Sequence, residues 1–190
     1  MNASVPPQSA SDGANRAARD MPSGGDGAQR PTWRFLRAHP LHLIALGLGS
    51  GMPRIAPGTC GTLFAWGSFV VLDGWLSDAG WGAVIGAALV LGAVAAQRTG
   101  ERLGRADSGH IVIDEIVAFW IVLVMLPDTA AHPVLQQAVA FVLFRLIDIA
   151  KPPPIRTLDA RFKSGFGVMA DDLVAAFYTL VAFALWYRLA

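Results

Sequence analysis

The residues of this chain best equipped for chemistry are acidic side chains in apolar surroundings. Asp114 and Glu115 stand side by side near the start of GHIVIDEIVAFWIVLVMLP, residues 109–127. An ionised carboxylate is costly to remove from water unless it is paired, and two together also repel. A shared cation relieves both penalties. A second pair, Asp171 and Asp172, opens the last apolar stretch in GFGVMADDLVAAFY. The plainer alternatives are that carboxylates favour the positive end of a helix dipole, and that Glu115 pairs with an arginine. Two such pairs in so apolar a chain favour a common metal ion. Ligands that are all oxygen point to Mg²⁺, which keeps waters and binds substrate phosphate beside carboxylates.

Arg145, Asp148 and Lys151 recur every three residues in FRLIDIAKPPPI, along one drifting stripe of a helix that Pro152 terminates. An Arg145–Asp148 pair within the helix accounts for two of them but not for Lys151 at the same end. Two cations with one carboxylate suit a phosphate next to a metal, with Arg145 and Lys151 stabilising its charge. Asp148 is then a further ligand or the general base. The stretch GLGSGMPRIAPGTCGTL, residues 47–63, places Gly58, Thr59 and Thr62 where an apolar run begins. Thr59 and Thr62 are expected N-caps, and the backbone N–H groups beside Gly58 would cradle a phosphate. The stretch lacks the lysine of a nucleotide-binding phosphate loop. Asp107, seven residues before Asp114, either shares its face or caps the same helix.

Other chemistries fail on residue type. Trp66 stands where a cysteine phosphatase built on Cys60 would need an arginine. His39, His42, His110 and His132 show no ligand spacing, and no lysine precedes Lys151 to complete a histidine-phosphatase motif around His110. With no serine or cysteine nucleophile in evidence, attack by water is favoured, and an aspartyl-phosphate intermediate is the second choice.

The elements that must position these residues are helical and apolar. Hydrophobic residues make up 54% of the 190 and charged residues only 15%, with a mean hydropathy of +0.46. That composition fits a membrane protein better than a soluble domain. A net charge of +1 gives no basic field to attract nucleic acid, and one cysteine excludes a disulfide framework. Residues 1–30 are expected to be a disordered cytosolic tail, because their Ser, Gly, Ala, Asp and Pro cannot bury enough surface to order. Residues 31–190 are expected to form one helical domain. It begins with a short amphipathic helix in which Trp33, Phe35 and Leu36 alternate with Arg30, Arg34 and Arg37.

Five apolar segments follow, at about 62–76, 81–96, 111–126, 133–149 and 173–187. The connections holding Asp73 and Asp78, and Asp128 and His132, have no lysine or arginine. Arg98, Arg102 and Arg105 fill another connection, and Arg156, Arg161 and Lys163 the last. The positive-inside rule puts the basic connections in the cytosol, with Trp75, Trp81, Trp186 and Tyr187 as an outer aromatic belt. Every candidate site residue then falls at the cytosolic end of its segment. The fold class is all-α: a membrane-associated bundle of about five apolar helices plus the short amphipathic one.

The chain resembles the phosphatidylglycerophosphatase A family. The resemblance rests on Gly49-Ser50-Gly51, Ala56-Pro57-Gly58-Thr59, Gly61-Thr62, Ile111 to Glu115 and Trp120. It continues with Phe144-Arg145, Asp148, Lys151-Pro152, Pro154-Ile155 and Gly165 through Asp172. Ala118 and Ala176 stand where members often have glycine. The resemblance implies a Mg²⁺-dependent phosphatase of the bacterial inner membrane. Its substrate would be phosphatidylglycerophosphate and its product phosphatidylglycerol, a step of phospholipid biosynthesis. Asp114, Glu115, Asp171 and Asp172 would hold the metal, not necessarily all of them directly. The competing class is a non-enzymatic membrane protein, a small transporter or assembly subunit, whose carboxylates would be spread through the depth of a pore.

Overall fold

The computed structural model describes residues 30–105, 108–127, 132–153 and 165–189. The expected tail, Asp107, Asp128, Pro154, Ile155, Arg156, Arg161 and Lys163 lie outside the described residues. The described secondary structure is helical throughout, as the apolar segments predict.

The amphipathic lead-in is two short helices, α1 (Trp33–Ala38) and α2 (Pro40–Ala45). Thr32 Oγ1 caps α1 by accepting from Phe35 N, and His39 Nδ1 caps α2 by accepting from Leu41 N. A single 3₁₀ turn, Gly47–Gly49, leads towards α3 (Pro57–Leu72). Then come α4 (Asp78–Leu103), α5 (Ile113–Met125), α6 (Pro133–Ala150) and α7 (Gly165–Leu189).

Three boundaries differ from the sequence expectation. Helix α3 starts at Pro57, whose fixed φ suits a first helical position. Its N-cap is Ala56, in the left-handed region with φ 50° and no side-chain cap bond. Thr59 and Thr62 are therefore inside the helix rather than N-caps, and Thr62 Oγ1 donates to Gly58 O at 2.9 Å. Helix α4 runs on to Leu103, stopped by Gly104 at φ 73°, so Arg98 and Arg102 are helical instead of lying in a connection. Helix α7 starts at Gly165, so Asp171 and Asp172 are not in its first turn. The helix-dipole explanation of that acidic pair fails on this point, because the dipole acts mainly within the first turn.

Helix α5 is the axis of the bundle. It packs against α3, α4, α6 and α7, and it buries Ile116, Val117, Ala118, Phe119 and Val122. An apolar run buried over most of its surface reads as a core helix, and at 13 residues α5 is too short to span a bilayer alone. Small residues bring α7 close to it: Ala175, Ala176 and Thr179 are buried. Phe119 contacts Phe144 of α6 and Phe141, with ring centroids 5.5 and 5.9 Å apart. Trp81, expected in the aromatic belt, is instead in the core at 2% exposure. It stacks on Phe69, and its Nε1 donates to Asp73 Oδ1. Trp75, Trp186 and Tyr187 are exposed as the belt requires.

Helices α4, α6 and α7 are each long and apolar enough to cross a membrane, and α3 is a shorter apolar helix. Val70, Val90, Leu91, Val142, Leu146 and Phe177 face outwards from these helices. Gln136 Nε2 of α6 donates to Tyr187 Oη of α7, and Trp66 Nε1 of α3 donates to Gln137 Oε1. These bonds join one end of the bundle. The candidate site residues gather at the other.

Candidate active site

Two helices supply the acidic centre. Val112 N donates to Ala45 O, and His110 Nδ1 lies 2.7 Å from Gly51 O, so the chain entering α5 is pinned to the end of α2 and the turn after it. Asp114 and Glu115 follow in the first turn of α5, and Asp172 comes from within α7. One oxygen from each of Asp114, Glu115 and Asp172 lies within 4.8 Å of the other two. Asp114 is 8% exposed and Asp172 only 3%. Asp114 Oδ1, Glu115 Oε2 and Asp172 Oδ2 are buried with no hydrogen-bond partner among the described residues. Each of the three clustered carboxylates thus has a buried oxygen without a donor, a need a divalent cation satisfies, and the all-oxygen set fits a hard ion such as Mg²⁺.

Asp171, the fourth expected ligand, is not in that triplet. Its Oδ2 lies 2.7 Å from Lys151 Nζ, and successive side chains on a helix diverge by about 100°. Lys151 is itself the C-cap of α6, in the left-handed region at φ 41°, which turns its side chain towards α7. Arg145 comes from the last turns of α6. Its Nη1 lies 2.8 Å from Asp148 Oδ2 and 3.7 Å from Glu115 Oε1. The expected intrahelical pair is therefore formed, yet its alignment leaves Nη1 and Nε without a hydrogen-bond acceptor among the described residues. Asp148 also sits beside Asp172, so the stripe of α6 borders the acidic triplet.

The first turn of α3 closes the site. A Cβ added to Gly58 would run into Glu115 Oε1 and come within 3.0 Å of Arg145 Nη2. Only a glycine lets the α3 backbone approach the carboxylate this closely. Thr59 follows it half-buried, whereas Thr62 is fully buried with its hydroxyl engaged inside the helix. The structure thus brings together Asp114, Glu115, Asp172, Arg145, Asp148 and Gly58, with the Lys151–Asp171 pair alongside.

The profile of the phosphatidylglycerophosphatase A family matches residues 43–187. The chain belongs to this family. It is 40% identical over 158 residues to a phosphatidylglycerophosphatase A of Haemophilus influenzae, covering 83% of this chain and 95% of the relative. A phosphatidylglycerophosphatase A of Escherichia coli is 38% identical over 142 residues, covering 75% of this chain and 80% of the relative. A Bacteroides thetaiotaomicron relative with the provisional name phosphatidylinositol-3-phosphatase is 36% identical over 149 residues, covering 76% of this chain and 92% of its own. No solved structure matches. Membership of the phosphatidylglycerophosphatase A family decides for an enzyme over a transporter or assembly subunit. The gathering of the triplet at one end of the bundle agrees with it.

Sequence reasoning missed two polar contacts that hold the site end together. His42 Nδ1 lies 2.9 Å from Thr99 Oγ1, and Gln97 Oε1 accepts from Gly165 N at the start of α7. Neither has a periodic signature. The one available hint was the polar Gln97 and Thr99 interrupting an apolar run.

Proposed function

We propose that the chain hydrolyses the phosphomonoester of phosphatidylglycerophosphate to phosphatidylglycerol and phosphate, a Mg²⁺-dependent step of phospholipid biosynthesis. The observation that carries the reading is the carboxylate triplet of buried Asp114 and Asp172 with half-buried Glu115, set beside Arg145 in a member of this family. These three side chains would hold the metal, and Mg²⁺ bound there would supply Lewis-acid chemistry for phosphoryl transfer.

The remaining roles follow from position. Arg145, whose Nε has no acceptor among the described residues, stabilises the phosphate charge that grows during in-line attack. Lys151 adds a second positive charge and is oriented by Asp171, so Asp171 acts by placing that lysine. Asp148 holds Arg145 and takes the proton of the attacking water. Gly58 and Thr59 offer backbone N–H groups from the start of α3, and Thr62 fixes that turn by bonding back to Gly58. Attack by water needs no covalent intermediate, and no serine or cysteine is in the set.

The bundle sits in the bacterial inner membrane with its site at the cytosolic face, where the lipid headgroup lies, a reading supported by the length and apolar composition of α4, α6 and α7. The test is phosphate release from phosphatidylglycerophosphate by purified protein in detergent. Release is expected with Mg²⁺ and not with EDTA. Asp172→Asn and Lys151→Ala, each checked for helicity, are expected to lose activity by about 10²–10³-fold, the scale for removing one group that stabilises transition-state charge. Wild-type rates in both variants would overturn the assignment.

A further inference from the structure

A second polar cavity lies between α1, α2 and the end of α4, with a volume of about 460 Å³. One wall is Arg98 and Arg102 of α4 with His39 and His42; the other is apolar, with Phe35 and Leu41. Arg98 and Arg102 have no carboxylate within 4.0 Å among the described residues. The single acid on the wall, Glu101, accepts from Gln97 Nε2 at 2.7 Å. The wall is built rather than loose. His42 is buried, lies 2.9 Å from Thr99 Oγ1 through Nδ1, and stacks on Phe35 at 4.2 Å and 15°. Burial, then the neighbouring charges of His39 and Arg102, disfavour the protonated form of His42, in keeping with a positive field inside the cavity.

The depth of the cavity follows from helix length. The 26 residues of α4 span about 39 Å at 1.5 Å each, more than the about 30 Å of a hydrocarbon core. The last turns, with Arg98 and Arg102, then stand at headgroup level. Basic pockets at this level recognise anionic lipid headgroups. An arginine pair matches phosphate oxygens, and an apolar wall matches the glycerol and first acyl carbons.

We propose that this cavity binds the phosphodiester of an anionic phospholipid as a resident lipid, at a place separate from the acidic triplet. Free phosphate shares the anion chemistry but not the use of the Phe35 and Leu41 wall. The assignment does not depend on which phosphomonoester the enzyme hydrolyses.

The test is native mass spectrometry of the full chain released from phosphatidylglycerol or phosphatidylcholine nanodiscs. Wild type is expected to retain phosphatidylglycerol over phosphatidylcholine. The double variant R98Q/R102Q is expected to lose that retention by about tenfold while still releasing phosphate from substrate in neutral detergent. The Lys151→Ala variant is expected to keep it. Equal retention by R98Q/R102Q and wild type would overturn the proposal. Loss of the arginine-dependent lipid to millimolar inorganic phosphate would assign the cavity to free phosphate and overturn the lipid assignment. A phosphatidylglycerol with a photoreactive headgroup, used on unmodified protein, is expected to label residues 33–46 or 98–103. Labelling confined to other segments would contradict the proposal.

Discussion

At the scale of single residues, the acidic centre depends on close approach, and Gly58 is where that shows. Gly58→Ala adds one methyl that collides with the Glu115 carboxylate and crowds Arg145. Overpacking of this kind costs about 1–3 kcal/mol, and here the cheapest relief is to move Glu115. Phosphate release is expected to fall more than tenfold while the melting temperature drops only a few degrees. Unchanged turnover in Gly58→Ala would show that Glu115 tolerates displacement. The reactive residue types were legible in the sequence because carboxylates in an apolar chain stand out. Asp171 and Asp172 could not be told apart there, because adjacent residues have identical composition and context. The helix phase of α7 and the turn of the chain at Lys151 separate them, sending Asp171 to the lysine and Asp172 to the triplet. Gly58 drew attention for the backbone N–H groups beside it, and its role as a gap for Glu115 needs the packing of α3 on α5.

At the scale of elements, two contacts carry separate predictions. Ala176 of α7 is 1% exposed in the core around α5, where a larger side chain has no room. Ala176→Leu is expected to lower stability by about 1–3 kcal/mol and to spread the α5–α7 distance that brings Asp114 and Asp172 together. Thermal unfolding in detergent and phosphate release are both expected to fall, whereas an exposed control, Val142→Leu, is expected to change neither. The second contact is α2 on α4. His42 titrates below its ordinary 6.5, first because it is buried and then because His39 and Arg102 repel its charge. Arg98 and Glu101 also line the adjoining cavity. The unfolded chain takes up a proton near 6.5 that the folded chain resists. Stability is therefore full above pH about 6.5 and falls as the pH drops below it. The fall in melting temperature between pH 7.5 and 5.5 is expected to be smaller in His42→Gln than in wild type, and an equal fall in both would contradict this. Helix existence and order were legible from the apolar segments, but their ends were not. Thr59 and Thr62 read as N-caps and proved to lie inside α3, because Pro57 sets the first helical φ. Trp81 read as belt because it opens the apolar segment at 81–96, and the polar partner Asp73 lets it bury.

At the scale of the whole molecule, a short core helix is wrapped by longer ones with apolar outer faces, and the polar chemistry collects at one end. That one-sidedness was legible from loop charges, since the basic and acidic connections alternate. The actual convergence was not, because Glu115 and Asp172 are 57 residues apart and no spacing rule links α5 to α7. The central claim is that Asp114, Glu115 and Asp172 hold one divalent ion and that Asp171 does not. The most direct measurement is Mn²⁺ binding, by electron paramagnetic resonance, to purified wild type and to the Asp114→Asn, Glu115→Gln, Asp172→Asn and Asp171→Asn variants. One tightly bound ion per chain is predicted for wild type and Asp171→Asn, with affinity reduced by about tenfold or more in the other three. Wild-type affinity in Asp172→Asn, or the largest loss in Asp171→Asn, would contradict the account.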